Sequence, residues 1–170
     1  MSHPFVASKA VRLTRIAIAV SKEVELDPSF DGDAGGGQVD AFRHSFWMAL
    51  LAQNMRWKKA ERLGKAHERD NYRRFKKGIS ESGELPDSVS TAMDLYNNQQ
   101  GISIGCNNPN LSVEALRDHV KNEVLEGRMK VVLKNREGVP LDCSGRVLLQ
   151  AELVSWSNKK CLVSSATRRR

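Results

Sequence analysis

Asp40, Arg43 and His44 stand close together in one short block, and Asp40 and His44 are a single helical turn apart. On a helix that spacing points both side chains the same way. A histidine held by a carboxylate one turn away has its tautomer fixed and its basicity raised, which suits activation of a water molecule. Two further blocks offer the same kinds of residue, His67-Glu68 and Asp94 with Asn97 and Asn98. Asp94 is therefore a second candidate carboxylate for His44. His67 and Glu68 form a second acid/base pair, but adjacent helical residues point about 100° apart. One of the two must face away, and with His67 inward Glu68 is the one to drop. The expected core of the site is Asp40, His44, His67 and Asp94, with Arg43, Glu68, Asn97 and Asn98 around it.

Polar residues of this kind are costly to bury inside helices without partners. A structural explanation is that Arg43 or His44 pairs with Asp40 or Asp94 while Asn98 satisfies helix ends, a network that fixes how helices pack. The catalytic explanation is a hydrolytic site. A divalent metal is compatible with two histidines and three carboxylates, as nitrogen and oxygen ligands to zinc or oxygens to calcium or magnesium. Neither HExxH nor a calcium-loop pattern is present, so no ligand set is dictated. Gly35-Gly36-Gly37 could bring backbone N–H groups or carbonyls to the site, although a plain flexible connector is the favoured reading. Nucleophilic catalysis lacks support: there is no GxSxG elbow, and Cys106 reads as a buried small residue. Trp47 reads as core or as a wall of the site, and His3 and His119 as bystanders.

The elements that must position these residues are mostly helices. Val6, Ala10, Leu13, Ala17 and Val20 recur at helical spacing and predict a helix from Phe5 to Val24. A second, from Gln38 to Gln53, carries Val39, Phe42, Phe46 and Leu50 beside a stripe of Asp40, His44, Trp47 and Leu51. The third takes Lys58 to Lys76 with Ala60, Leu63, Ala66 and His67 inward. A fourth starts near Pro86 and runs towards Gly101 and Gly105, with Asp94, Asn98 and Gly101 on one line; a polar linker follows from Cys106 to Asn110. Ser112 caps a fifth that Gly127 stops. Residues 129–133 and 146–149 then read as short strands or a hairpin around Glu137-Gly138. The fold expected is a mainly α single domain over 1–170: a bundle of about five helices over 5–127, a small β-rich part over 128–163 and a basic tail over 164–170.

Composition bounds the function. With 40% hydrophobic and 28% charged residues in 170, the chain is globular rather than disordered, and its longest apolar run, Ile16 to Val20, is far short of the roughly 20 residues that cross a bilayer. No signal peptide is read at the start, where basic residues are spread through an amphipathic stretch. Three cysteines without a CxxC pair indicate neither a zinc knuckle nor a complete disulfide framework, and pairing of Cys143 with Cys161 is the less favoured reading. Residues 56–77 hold ten Lys or Arg against Glu61, Glu68 and Asp70, an excess equal to the +7 of the whole chain. Such a face attracts nucleic acid, anionic lipid or an acidic protein, or is simply solvated.

Asp40-Ala-Phe-Arg-His-Ser-Phe-Trp47, Ala66-His-Glu68 and Met93-Asp-Leu-Tyr-Asn-Asn98 with Gly101 resemble a largely uncharacterised bacterial family with FRHxxW, AHE and MDLxNN motifs. It is seen in secreted proteins and at the toxin end of multidomain effectors. The resemblance runs from about Val39 to Gly127, and Tyr96 stands where that family often has histidine. It implies an effector hydrolase used in interbacterial competition, delivered by a carrier or secretion apparatus, acting in the target envelope or periplasm and countered by an immunity protein. The resemblance gives no substrate; a histidine–carboxylate site beside a glycine loop and a cationic face favours phospholipid, with peptidoglycan open. The alternatives are a nuclease toxin using the 56–77 face and a non-catalytic binding domain built on a packing network.

Overall fold

The structure, a computed structural model, describes residues 4–80 and 85–167. Five helices come first: α1 (Pro4–Glu25), α2 (Gln38–Asn54), α3 (Trp57–Lys76), α4 (Ser88–Asn107) and α5 (Val113–Leu125). Strand β1 (Lys130–Val132), the one-turn helix α6 (Gln150–Leu153) and strand β2 (Leu162–Ser164) complete the chain. The protein is a mainly helical bundle with a small antiparallel sheet near its C-terminus, as the periodicity predicts. No helix of the described residues is long and apolar enough to cross a membrane.

Helix α2 is the axis of the bundle. Phe42, Phe46 and Leu50 pack with residues of α1, α5 and β1, while Met48 and Leu51 pack with Leu13, Ala60 and Ile102. Apolar residues therefore surround it on nearly every side, as a helix at the centre of a bundle requires. Against α4 the backbones come unusually close. A Cβ on Gly101 would lie 2.1 Å from the Ser45 carbonyl oxygen, and one on Gly105 would lie 2.3 Å from that of Ala49. The small residues repeat every four positions on both helices, so the seam is continuous. One and two turns earlier on the same line of α4 stand Asn98 and Asp94, which the seam brings up to α2.

Several boundaries differ from expectation. Asp87 is the N-cap of α4, its carboxylate accepting from the Val89 and Ser90 amides, so the helix begins after Pro86. It runs on through Asn107, absorbing the start of the predicted linker. Cys106 on its last turn is exposed rather than buried. The inner line of α3 is Ala60, Gly64, Glu68 and Asn71; Ala66 and His67 are exposed.

In the C-terminal part β1 pairs with β2, with Lys130 opposite Ser164 and Val132 opposite Leu162. The predicted hairpin is reduced to an isolated bridge between Lys134 and Pro140, and residues 146–149 form no strand beyond a bridge of Val147 to Leu141. Pro140 has no N–H to extend a ladder, and Leu149 is turned out to solvent. Cys143 and Cys161 form a disulfide, the pairing that their count and spacing had disfavoured. The predicted tail also starts later, since Ser164 ends β2 and Ser165 is buried; residues 168–170 and His3 lie outside the described residues.

Candidate functional site

His44 lies at the centre of the polar cluster. Its ring is almost wholly buried, with Nε2 3.5 Å from Asp40 Oδ1 and 3.5 Å from Asp94 Oδ1. On the other side Nδ1 is 3.3 Å from Asn98 Oδ1 and 3.7 Å from Glu68 Oε1. Asn98 donates from Nδ2 to Glu68 Oε1 at 3.2 Å, and Asn71 donates to Glu68 Oε2 at 2.8 Å. Because the Asn98 nitrogen is committed to Glu68, its oxygen is the acceptor that faces His44. That places a ring proton on Nδ1, with Nε2 turned towards Asp40, Asp94 and Arg43.

Arg43 supplies the opposing charge. Its guanidinium ion-pairs with Asp40 Oδ1 and lies 3.4 Å from His44 Nε2. The second oxygen of Asp40 accepts the Gly36 amide at 2.7 Å. Gly36 has φ +92°, a left-handed conformation that glycine adopts without steric cost. Its carbonyl accepts the Val132 amide at 2.8 Å, and the next residue back, Gly35, gives its carbonyl to Lys134 Nζ at 2.6 Å. The glycine loop is therefore part of the site, and β1 together with the residue two beyond it anchors that loop.

Three buried carboxylates, Asp40, Glu68 and Asp94, surround one histidine. Burial raises Glu68, with the Asp94 charge adding to it, until its carboxyl titrates at about 7. For Asp87, at the edge of the site, burial acts upward as well. Lys160, at 2.9 Å, and the Ser90 amide outweigh it and hold this carboxyl below its usual range.

Two cavities open beside the cluster, and Arg43 lines both. One, of about 80 Å³, mixes polar and apolar wall and is lined by Gly35, Gly36, Asp40, Arg43, Asp87, Asp94 and neighbours from the start of α4. The other, of about 220 Å³, lies between α1, α2 and α3 and is mostly apolar. Ala17, Ile18 and Trp47 form its wall, and Arg43, His44 and His67 its polar end. His67 stands at this mouth, its ring 6.0 Å from His44 and edge-on to Trp47 at 5.7 Å. Trp47 is thus a wall of the site, held by its indole N–H donating to Thr14 at 3.0 Å.

Seven of the eight predicted residues converge: Asp40, Arg43, His44, Glu68, Asp94 and Asn98 make the cluster, and His67 borders it. The predicted choice between His67 and Glu68 is reversed, with Glu68 inside and His67 at the rim. Asn97 is the exception. It is fully buried but faces away, clamping Lys130 of β1 by donating to its carbonyl and accepting from its amide, both at 2.9 Å. Asn71 and Ile18 were missed; a polar Asn71 three residues after Glu68 was the one signal available. His119, on α5, stays outside, near Glu123.

Two trios, Asp40 with His44 and Asp94, and His44 with His67 and Glu68, bring ligand atoms within 4.8 Å of one another and are spaced to hold a metal ion. Arg43 already presents a cation to the first of them.

A family model described as "Domain of unknown function (DUF6973)" matches residues 1–128, which takes in α1 to α5 and every residue of the cluster. No curated protein matches the chain, and no solved structure does.

Proposed function

We infer the function of this chain, which belongs to the DUF6973 family, from its site: it is a hydrolase of a bacterial-envelope component, first an ester or phosphodiester of an anionic phospholipid and second a peptidoglycan bond. The observation that carries this reading is His44, buried, with its Nε2 facing two carboxylates and Arg43 at the polar end of a cavity. Nε2 removes a proton from a water as the water attacks the substrate. Asp40 and Asp94 balance the imidazolium that forms, and Asn98 holds the ring in the productive tautomer. Arg43 faces the negative charge that develops on the substrate oxygen. The proton on Nε2 then passes to the leaving group.

In this reading the protein is an antibacterial toxin domain, carried to its target by a secretion apparatus or fused carrier and blocked by an immunity protein. The disulfide between Cys143 and Cys161 suits an oxidising compartment such as the periplasm or the cell exterior. One observation favours a second reading, a nuclease: the cations Arg62, Lys65, Arg69 and Arg73 are all exposed along α3, in position to follow phosphates. A packing network without chemistry is the third.

Purified protein incubated with phospholipid vesicles, with plasmid DNA and RNA, and with peptidoglycan sacculi separates the three. Lipid or sacculus should be cut, and His44→Ala or Asp94→Asn should lower the rate by about a hundredfold or more with the melting transition retained. Export to the periplasm should kill where cytoplasmic expression is mild. Folded variants that cut as fast as wild type would remove His44 and Asp94 from the chemistry.

A further inference from the structure

Resting on the hydrolase reading above, we propose that the apolar cavity between α1, α2 and α3 receives an acyl chain, so that the bond cut is the carboxylic ester that joins a fatty chain to an anionic lipid. His44 and Arg43 line the polar end of this cavity, while Arg43 and Asp40 also line the smaller cavity beside it. The two hollows differ in character and share Arg43. A ligand with an apolar chain and its reactive bond at the polar end, beside His44 and Arg43, matches the larger hollow.

The order of groups in a phospholipid selects the bond. With the chain against Ala17, Ile18 and Trp47, the first polar atoms beyond it are those of the acyl ester, and these reach His44 at the cavity's end. The phosphate lies several atoms further on, towards Arg43. The cavity wall also continues out of the protein. Val11, Thr14 and Ile18 follow one another at helical spacing along α1, and Val11 and Ile18 are 52% and 48% exposed. Arg12, Arg15 and Lys22 are exposed on the same helix. An exposed face that carries apolar side chains and cations together suits contact with an anionic lipid surface.

The step balances with water as the sole co-reactant. The water oxygen bonds to the acyl carbonyl carbon while His44 Nε2 takes its proton, and Arg43 faces the resulting oxyanion. The tetrahedral intermediate then expels the glycerol oxygen, which takes the proton from His44. The products are a fatty acid and a lysophospholipid.

Two measurements on the full chain test this. Decanoic acid, titrated by calorimetry, should bind saturably, and Ile18→Asp should weaken it about tenfold or more by placing a charge in the apolar wall; half exposed as it is, position 18 accepts the change without disturbing the core. Phosphatidylglycerol and phosphatidylethanolamine vesicles, followed by mass spectrometry, should yield fatty acid and lysolipid. Diacylglycerol or phosphatidic acid as the product would overturn the assignment of the bond. Lipid cleavage without decanoate binding, or equal binding by Ile18→Asp, would overturn the acyl cavity and leave the hydrolase reading standing. Decanoate binding that Ile18→Asp weakens, with no lipid cut, would support the cavity and overturn the phospholipid-hydrolase reading beneath it.

Discussion

Glu68 should make the protein lose stability as the pH rises through neutrality. In the unfolded chain this carboxyl ionises near 4.5, whereas in the fold burial and the neighbouring Asp94 hold its proton to about 7. Between those values the folded state binds more protons than the unfolded state, so stability falls with rising pH; below the interval the effect is absent and above it complete. A displacement from 4.5 to about 7, at 1.36 kcal/mol for each pH unit, corresponds to about 3 kcal/mol. For a chain of this length that is about 6–12 °C in Tm. Glu68→Gln removes the titration. The new amide meets the donors Asn71 and Asn98 and shifts Tm by some constant amount, but a constant does not alter the slope. Melting curves of both proteins from pH 4 to 8.5 should therefore diverge, with wild type losing ground to the variant between about 4.5 and 7. Parallel curves would refute the assignment of a buried, proton-holding carboxyl and the placing of Glu68 inside the cluster.

Gly101→Ala should open the α2–α4 seam, because the new methyl has the Ser45 carbonyl oxygen 2.1 Å away; a loss of about 3 kcal/mol would appear as a lower Tm, together with loss of any activity that needs Asp94 and Asn98 against His44. An unchanged Tm would mean that the helices are further apart. Reducing the Cys143–Cys161 bond, which spans 18 residues, should cost about 3 kcal/mol; a thermal melt with and without reductant checks this, and equal transitions would show that the bridge does not staple the C-terminal part.

What the sequence disclosed, it disclosed through spacing. The five long helices follow from apolar periodicity, and Asp40 with His44, or Asp94 with Asn98, from being one turn apart. Adjacent pairs carried no such information. Whether His67 or Glu68 faces inward depends on how α3 is rolled about its axis, and a helix with cations on most of its circumference leaves that roll undefined. Small Ala60 and Gly64 settle it, by letting α3 approach Met48 and Asn98 closely. The same ambiguity hid the separation of Asn97 from Asn98, which serve β1 and the histidine respectively. Long-range pairings were the least legible: nothing local indicates that β1 takes Leu162–Ser164 as its partner, or that Lys134 reaches back to Asp33.

That last contact bears on the order in which the site is made. Lys134 donates to Asp33 and to the Gly35 carbonyl across 101 and 99 residues of chain, and the Val132 amide fixes Gly36. On a ribosome, α2 with Asp40 and His44 is complete long before these anchors emerge. The glycine loop therefore waits for residues about 100 further along the chain, and closing so long a loop is slow compared with forming helices. Assembly of the smaller cavity becomes a late event in biogenesis, timed by synthesis of the segment that follows the family's matched region.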